Sequence, residues 1–386
     1  MIKKMCIISG DFPPSQGGVG DHTAKLCQLF YQMGIEVLLC TRAGAHKKKF
    51  VHRTIFVDKW KFYPLISLLK EIKKYSPGGI IFQADCTEYG QSVSINLFLL
   101  ALRLSTRGIR IIAICHEFKS FRWIGRIRKI LYMAVSHITV IVNRDELGVI
   151  QQFSGIFYHL IKNKLVFVPI GSNIDSPQTG IRYNAKSSFS ESCPFRLCFF
   201  GVIRETKSIE IILLALKKLK EQSIPIRFTF IGLFKPEKDD YHKKLQNLTH
   251  QLEIENLVVW AGHCDESKVS SIFLESDAVV LIFTDGVREN RGSFLAACAH
   301  RRPTITNKEE LSSSLPSLLI DRENLLLVPT GDSSALAEAI GELYKKPELR
   351  LKIAEGAFLW NQNYQWPKIS RQIVALFSAE INGRIR

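Results

Sequence analysis

The sequence predicts an α/β protein with two doubly wound parallel-sheet domains that face a central cleft. Two stretches of the chain begin alike, each with an apolar strand, a glycine-containing turn and an amphipathic helix. The two strands are Met5–Ser9 and Phe195–Phe200, and the helices that follow are Asp21–Met33 and Ser208–Glu221. A parallel strand that leads onto a helix N-terminus creates a phosphate-sized site at the carboxyl end of the strand. Two such starts indicate two nucleotide-binding folds.

Short apolar runs alternate with helical periods along the whole chain, as in parallel α/β folds. With 386 residues, 46% of them hydrophobic, the chain is longer than one domain with a single hydrophobic core, so two domains are expected. We expect residues 1–175 to form an N-terminal domain, 176–194 a polar linker, 195–362 a C-terminal domain and 363–386 a final helix. The remaining predicted strands are Glu36–Cys40, Gly79–Gln83, Arg110–Cys115, Ile138–Val142, Leu165–Val168, Arg227–Ile231, Leu257–Ala261, Ala278–Ile282, Thr304–Thr306 and Leu325–Val328. The remaining predicted helices are Leu65–Tyr75, Val93–Ser105, Arg144–Phe153, Tyr241–Leu252, Glu266–Glu275, Gly292–Ala299, Ser334–Tyr344 and Trp366–Glu380.

The cysteines and the spacing of possible metal ligands limit the kinds of site that the chain can form. The nine cysteines are scattered and include no Cys-x-x-Cys pair, which favours free buried thiols in a reducing cytoplasm. No zinc-binding pattern is present, so we expect neither a metal nor a cofactor. No apolar run reaches the roughly 18–20 residues that span a bilayer, and the start of the chain does not resemble a signal peptide. We therefore expect a cytoplasmic protein, or one that is peripheral on the inner membrane face.

The net charge of +16 is unevenly distributed. Residues 1–180 hold 24 Lys and Arg against 11 Asp and Glu, which leaves an excess of +13 in the N-terminal half. A basic half suggests an anionic partner, and Phe121–Leu131 favours a membrane surface. As a helix, this stretch would place Arg122, Arg126 and Lys129 on one flank beside apolar side chains. An ordinary helix with a solvated basic face is the alternative. No nucleic-acid recognition motif accompanies the charge, so we expect no nucleic-acid partner.

Two loops after apolar strands are candidate phosphate sites. In the first, Gly17 and Gly18 let a ligand approach the backbone just before a helix whose dipole favours anions. In the second, Arg204 and Lys207 lie between a buried strand and a helix, where two cations can neutralise a diphosphate leaving group. A simple turn and solvated surface charge are the respective alternatives.

A third candidate runs from Phe283 to Ala299, from an apolar strand through a charged loop into a helix of small residues. Gly292 and Ser293 suit the helix start, where free N–H groups can hold phosphate oxygens. Asp285 and Glu289 are predicted to accept hydrogen bonds from sugar hydroxyls. Taken in isolation, the loop also fits a solvated charged turn.

A fourth candidate is His116, which with Glu117 directly follows the strand Ile111–Cys115. Polar groups at the carboxyl end of a parallel strand face the ligand crevice. A histidine that is satisfied in the core or at the domain edge is the alternative.

Together these motifs resemble glycosyltransferase family 4, whose members have the GT-B fold and are retaining, metal-independent sugar transferases. The resemblance covers nearly the whole chain and rests on six features in the same order. They are the glycine loop before the first helix, His116 after a central strand, Val168–Asn173 at the crossover, Gly201 with Lys207, the small-residue helix with Pro303 beyond it, and the Trp366 segment.

The resemblance implies that the C-terminal half binds the nucleotide sugar, the N-terminal half binds the acceptor, and the last helix crosses back to the first domain. Lys207 would correspond to the diphosphate-binding lysine. The Gly17–Gly18 loop would lie near the donor phosphates and the acceptor, and His116 beside the donor sugar. Asp21 and Glu117 would lie on the acceptor side.

The chain departs from the family pattern in places. The arginine after the strand glycine is replaced by Val202, and Arg204 is its nearest substitute. The positions of two glutamates are occupied by Arg288 and Ala296. Asp285 is the best replacement for the first, and nothing replaces the second.

These observations predict a retaining glycosyltransferase that moves a sugar from a nucleotide diphosphate to a saccharide or lipid-linked acceptor, in cell-envelope polysaccharide or glycoconjugate synthesis. His116, Asp285 and Lys207 are the predicted catalytic residues. The predicted donor-binding residues are Gly17, Gly18, Arg204, Lys207, Glu289, Gly292 and Ser293. Two alternatives stay open: a catalytically silent transferase-like binding partner, and a sugar-nucleotide epimerase of the same fold.

Overall fold

The computed structural model describes residues 2–15, 17–90, 92–106, 108–119, 121–176, 183–186, 188–308 and 319–378. The chain divides into two compact units: unit 1 comprises Met1–Asn173 with Gln365–Arg386, and unit 2 comprises Ile174–Tyr364. Part of the predicted linker (177–182 and 187) and the end of the predicted final helix (379–386) lie outside the described residues.

Unit 1 contains a seven-stranded parallel sheet in the order β3-β2-β1-β4-β5-β6-β7. Its strands are β1 (Lys4–Ile8), β2 (Glu36–Arg42), β3 (Arg53–Val57), β4 (Gly79–Gln83), β5 (Arg110–Cys115), β6 (Ile138–Ile141) and β7 (Leu165–Phe167). The helices between them are α1 (Gly18–Gln32), α2 (Phe62–Tyr75), α3 (Ser94–Ser105), α4 (Trp123–Val135), α5 (Asp145–Ser154) and α6 (Tyr158–Ile161).

Unit 2 contains a six-stranded parallel sheet in the order β10-β9-β8-β11-β12-β13. Its strands are β8 (Phe195–Phe200), β9 (Ile226–Ile231), β10 (Val258–Gly262), β11 (Ala278–Leu281), β12 (Thr304–Asn307) and β13 (Leu326–Val328). Its helices are α7 (Ile209–Glu221), α8 (Asp240–Gln251), α9 (Glu266–Glu275), α10 (Gly292–Ala299), α11 (Ser333–Lys345) and α12 (Pro347–Asn361). The last helix of the chain, α13 (Trp366–Ala375), belongs to unit 1.

The sheet of unit 1 is covered on both faces. Ile7 and Ile81 pack into one core cluster with α1 and α13, whereas Cys6 and Ile80 pack into another with α2 and α3. All five residues of β4 are buried, as expected for a central parallel strand whose side chains alternate between two covered faces. The predicted pair of doubly wound parallel sheets is confirmed.

Helix α13 completes the core of unit 1 through Trp366, which is 6% exposed. The indole Nε1 donates a hydrogen bond of 2.6 Å to the carbonyl of Ser172. A Cβ on Gly171 would lie 2.7 Å from the indole ring, so only glycine lets the chain pass this close. Ile369 and Ile373 continue the contact into the cluster that contains Ile7.

Some local expectations were incomplete or wrong. The short edge strand β3, the one-turn helix α6 and helix α12 were not predicted. The helix predicted around Phe121–Leu131 is present as α4, but Lys129 does not lie on a solvated flank. Lys129 is fully buried, and its ammonium donates to the carbonyl of Glu117 and lies 4.1 Å from the ring centroid of Phe121. A backbone carbonyl and an aromatic face replace the water around this cation.

The nine cysteines are free thiols, and seven of them are buried. Within the described ranges, no group of three or more His, Cys, Asp or Glu residues is arranged to hold a metal. None of the helices described is long and apolar enough to cross a membrane.

We predict that Trp366→Ala lowers the free energy of unfolding by about 3–5 kcal/mol, because it leaves a large cavity in a core that cannot collapse onto it. Trp123→Ala is the matched control, since Trp123 is 63% exposed and its loss should change stability by less than about 0.5 kcal/mol. Urea titrations followed by circular dichroism measure both. Equal midpoints for the two variants would contradict the assigned role of Trp366.

Candidate functional site

Most predicted site residues lie beyond the carboxyl ends of the strands at two topological switch points, and His116 and Glu117 lie beyond the adjacent strand β5. In unit 1 the switch is between β1 and β4, and in unit 2 between β8 and β11, where neighbouring strands lead to helices on opposite faces. Connections that diverge in this way leave a crevice at the sheet edge, which is where open α/β sheets bind ligands.

In unit 2, the turn after β8 places Lys207 against the next strand of the sheet. Its Nζ lies 4.4 Å from the ring centroid of Phe283, just beyond β11. The backbone N–H of Thr284 donates 3.2 Å to the carbonyl of Thr206, which ties the two loops together. The turn itself depends on glycine, because Gly201 has a φ of 151°. The lysine is therefore held at the switch point by backbone contacts.

The loop after β11 contributes two further cations that surround Asp285. The Asp285 carboxylate pairs with Arg288 at 3.1 Å and with Arg291. Burial alone would raise the pKa of Asp285, but Arg291 and Arg288 together lower it below its usual value. The Arg291 guanidinium also lies 4.9 Å from the Phe283 ring centroid. Lys207 and Arg291 thus share one aromatic ring, which brings two cations together beyond the carboxyl end of β11.

Asn307, at the end of β12, fixes the position of this loop. Its side-chain oxygen accepts from the N–H of Phe283 at 2.9 Å, and its amide donates to the carbonyl of Phe283 at 2.8 Å. The Asn307 carbonyl also accepts from the N–H of Val287 at 2.8 Å. A buried amide that is satisfied in this way rigidifies its surroundings, so the arginine–aspartate cluster is preorganised.

Gly292 and Ser293 form the first turn of α10, as predicted. Phe294–Ala299 are all buried, which anchors the helix, and no side-chain hydrogen bond from Arg291 caps its N-terminus. The first N–H groups of a helix carry a partial positive charge and suit phosphate oxygens. Glu289, which was predicted to contact sugar hydroxyls, is only 2% exposed.

Arg204 has different surroundings from Lys207. It lines a cavity of about 340 Å³ on the flank of the β8–α7 turn, together with Lys238, Asp239 and Tyr241. Lys207 is not among the described residues that line this cavity. The two cations predicted as a pair thus face different parts of the unit 2 surface.

In unit 1, Gly17 and Gly18 stand where the loop after β1 enters α1. A Cβ on Gly17 would approach only the Asp11 carboxylate, at 4.0 Å, and Gly18 adjoins open space. Asp11 pairs with Arg42, and its carbonyl accepts from the Ser9 hydroxyl at 2.6 Å. The start of the loop is therefore fixed, while the two glycines leave room beside the backbone.

Glu88 is a buried acid beneath this loop. It is 8% exposed, and its carboxylate accepts from the N–H of Asp11 at 3.2 Å. Burial, assisted by the charges of Asp85 and Asp11, raises the pKa of Glu88 to about 8. A Cβ on Gly10 would lie 2.5 Å from the Cβ of Glu88, so glycine is required where the loop crosses it.

His116 lies at the end of β5 in a buried chain of hydrogen bonds. Its Nε2 is 2.9 Å from the side-chain oxygen of Gln83, whose amide nitrogen is 3.4 Å from Nδ1 of His22. The two imidazoles meet edge to face at 4.6 Å. With Gln83 in this orientation, His116 carries its proton on Nε2 and His22 accepts on Nδ1.

Both imidazoles are held neutral. Burial, with a smaller effect of Lys129, lowers the pKa of His116 to about 3. Burial, followed by the charge of His116, lowers the pKa of His22 well below its ordinary value. The cluster can therefore accept or donate hydrogen bonds near neutral pH without becoming a cation.

The two predicted acceptor-side residues lie near these elements. Asp21 is exposed in the first turn of α1, and Glu117 is half-buried directly after His116. Sequence reasoning missed Gln83, His22, Glu88 and Arg291. Gln83 left a signal, since it is the one polar residue at the end of an apolar strand (Gly-Ile-Ile-Phe-Gln); the others are recognisable only from their contacts.

Comparison with known proteins identifies relatives of this architecture. Residues 183–360 match the family model "Glycosyl transferases group 1". Over 201 residues the chain is 22% identical to a putative colanic acid biosynthesis glycosyltransferase, WcaL, of Salmonella typhimurium, covering 50% of this chain and 48% of the relative. The chain spans about half the length of the curated relatives that it matches.

Solved structures resemble nearly the whole chain. Sucrose-phosphate synthase from Thermosynechococcus elongatus superposes with a TM-score of 0.75 at 15% identity, covering 97% of this chain and 98% of the other. Anabaena Alr3699/HepE, solved in complex with UDP and glucose, gives 0.73 at 14% identity, covering 97% and 99%. The predicted GT-B fold is confirmed by these structures.

Proposed function

We propose that this protein is a retaining, metal-independent glycosyltransferase of family 4 that transfers a sugar from a nucleotide diphosphate donor to an acceptor hydroxyl. The observation that best supports this activity is the paired placement of Lys207 and Arg291 on the ring of Phe283. The start of α10 follows directly, at Gly292. Two cations and a helix N-terminus on one sheet edge are suited to a diphosphate.

In the proposed reaction, the bond between the sugar anomeric carbon and the diphosphate breaks as the acceptor oxygen bonds to the same carbon from the same face. The negative charge that develops on the diphosphate is stabilised by Lys207 and by the N–H groups at Gly292 and Ser293. No side-chain nucleophile is required.

Asp285 has a different proposed role from a free sugar-binding acid. Because Arg288 and Arg291 keep it ionised, its main contribution is to hold both guanidinium groups at the sheet edge. Its remaining lone pairs can accept from a sugar hydroxyl. Arg288 stands at the position of the first family glutamate, and its salt bridge with Asp285 is a structural reason for an arginine there.

On the side of unit 1, we propose that His116 contacts the sugar that is transferred and that Asp21 and Glu117 lie near the acceptor. A neutral imidazole can accept a hydrogen bond from a sugar hydroxyl without competing for the diphosphate as a cation would. We propose a saccharide or lipid-linked acceptor of the cell envelope, which the basic charge of residues 1–180 would help to bring to an anionic membrane.

A panel of nucleotide sugars tests the proposed activity. Purified protein is incubated with UDP-, GDP-, ADP- and dTDP-linked sugars, and thermal stability and free nucleoside diphosphate are measured. At least one donor should raise the melting temperature by mass action and be slowly consumed. No stabilisation and no consumption for any donor would contradict the proposal, and a product sugar that stays on the nucleotide would indicate an epimerase.

We predict that Lys207→Ala lowers kcat/KM for transfer or donor hydrolysis by about 100-fold, because it removes a cation from the developing diphosphate charge. It should also reduce the thermal stabilisation by the nucleoside diphosphate. Lys243→Ala is the control, since Lys243 is exposed on α8. Equal rates in the two variants would exclude Lys207 from the reaction.

We predict that acid destabilises the fold through His22 and His116. In the folded state both have lowered pKa values, so below about pH 6.5 only the unfolded state binds the extra protons. Stability is therefore complete above pH 6.5 and is lost as the pH falls toward about 3. At pH 5.5 the loss should be about 1.4 kcal/mol per histidine relative to neutral pH.

The measurement compares urea unfolding at pH 7.5 and 5.5 in the wild type and in the double variant His22→Gln, His116→Gln. Glu88, whose pKa is raised to about 8, acts in the opposite direction and is common to both proteins. The double variant should lose less stability on acidification than the wild type. The same loss in both would show that the two imidazoles are not buried in neutral form.

A further inference from the structure

An unusual number of apolar side chains are exposed on one helical face of unit 1. Among the described residues, 22 large hydrophobic side chains are exposed, and 14 of them belong to α2, α3, α4 and the turn around α6, or directly precede these helices. They are Phe62, Tyr63, Ile66, Val93, Leu97, Leu100, Leu104, Trp123, Ile124, Ile127, Leu131, Ile156, Phe157 and Leu160. We call this set the apolar face.

The helices that present the apolar face form one continuous layer. Helix α2 packs against α3, α3 against α4, and α4 against α6. Their inner sides are buried: α2 and α3 pack on the sheet through Leu68 and Leu99. The exposed positions repeat with helical spacing, as in Leu97, Leu100 and Leu104 of α3. The exposed apolar residues therefore lie on the outer sides of helices whose inner sides are already packed on the sheet.

The charge of this layer restricts what can cover it. Residues 62–75, 94–105, 123–135 and 155–164 contain nine Lys and Arg, of which only Lys129 is buried, but a single acid, Glu71. Glu71 is itself paired with Arg53. Scattered exposed apolar residues are ordinary, but a concentrated set marks an interaction site. Trp, Phe and Leu beside an almost purely cationic background match the chemistry of an anionic bilayer.

We infer that the apolar face docks on a bilayer that contains anionic lipids, with its aromatic and aliphatic side chains in the headgroup–acyl boundary. The inference names the surface that makes the membrane contact proposed above. It rests on the proposed function only through the lipid-linked acceptor. Trp123 and Phe62, at the starts of α4 and α2, insert as interfacial anchors. Exposed cations of the layer, such as Lys70 and Lys73, contact lipid phosphates.

The test measures binding of the full chain to vesicles without any nucleotide. Co-sedimentation is carried out with phosphatidylcholine alone and with phosphatidylcholine containing phosphatidylglycerol, at low and high salt. The wild type should bind the anionic vesicles, bind the neutral ones at least about tenfold more weakly and lose affinity as salt rises. Absence of binding to anionic vesicles, or equal, salt-independent binding to both kinds, would overturn the inference.

Matched triple variants identify the surface. Leu97→Gln, Leu104→Gln, Ile127→Gln removes three members of the apolar face, with exposures of 53%, 62% and 43%. Leu274→Gln, Leu351→Gln, Leu359→Gln removes three apolar residues of unit 2 with exposures of 37%, 44% and 66%. The first variant should bind anionic vesicles at least about tenfold more weakly than the wild type, and the second should bind as the wild type does. Equal binding by the two variants would overturn the assignment.

Two controls separate this inference from its rivals. Light scattering reports the oligomeric state: a wild-type dimer that the first triple variant converts to a monomer would assign the apolar face to self-association and overturn the lipid assignment. Thermal stabilisation by UDP, GDP, ADP or dTDP is measured on both variants. If the first triple variant loses vesicle binding while its stabilisation by nucleotide is unchanged, the inference is supported. The vesicle measurement needs no nucleotide, so its result stands even if none of the four binds.

Discussion

The reversal of strand order at the centre of each sheet determines where most of the candidate site residues lie. A right-handed crossover from β1 to β2 leads the chain one way, and the crossover from β4 to β5 leads it the other way. The loops beyond β1 and β4 must therefore diverge, and so must those beyond β8 and β11. Loops that diverge in this way leave a crevice at the carboxyl ends of the strands, and open α/β sheets bind their ligands there.

The candidate sites of the two units, each at the carboxyl ends of the central strands, differ in their electrostatics. In unit 2, Arg288 and Arg291 pair with Asp285, Lys207 lies on the ring of Phe283, and the start of α10 adds its dipole. In unit 1 the equivalent edge holds two neutral imidazoles and a buried carboxyl group whose pKa is raised. The cost of burying charge explains the second pattern, since desolvation favours the neutral form of each group. One edge therefore suits phosphate and the other suits polar, uncharged groups.

Most strands and helices could be predicted from the sequence, because the residue patterns that indicate them lie within each element. Strands such as β4 and β5 are unbroken apolar runs, and glycine or polar clusters separate them from the helices. The edge strand β3 escaped prediction because Arg53–Val57 is only partly buried. Helix α12 escaped because polar Arg350 and Asn361 are among its buried residues, which weakens the helical pattern of apolar positions.

The candidate site was less accessible from sequence, because its decisive contacts depend on how side chains are placed, which local residue patterns do not give. The pairing of Asp285 with Arg291 was not foreseen, since the loop's charges look solvated when read alone. Gln83 and His22 are 61 positions apart, and nothing local to either residue reveals their contact with His116. Lys129 shows the same limit, because helical spacing gave its side of α4 but not the carbonyl that receives its ammonium.

The return of α13 to unit 1 also has a consequence for the order of events on the ribosome. The sheet of unit 1 is complete at Asn173, yet Trp366 and Ile369, which cover one of its faces, lie about 190 residues later. At synthesis rates of about 5–20 residues per second, that face waits roughly 10–40 s for its cover. During this interval the part of the sheet that α13 later covers stays exposed in the nascent chain, beside the part already covered by α1.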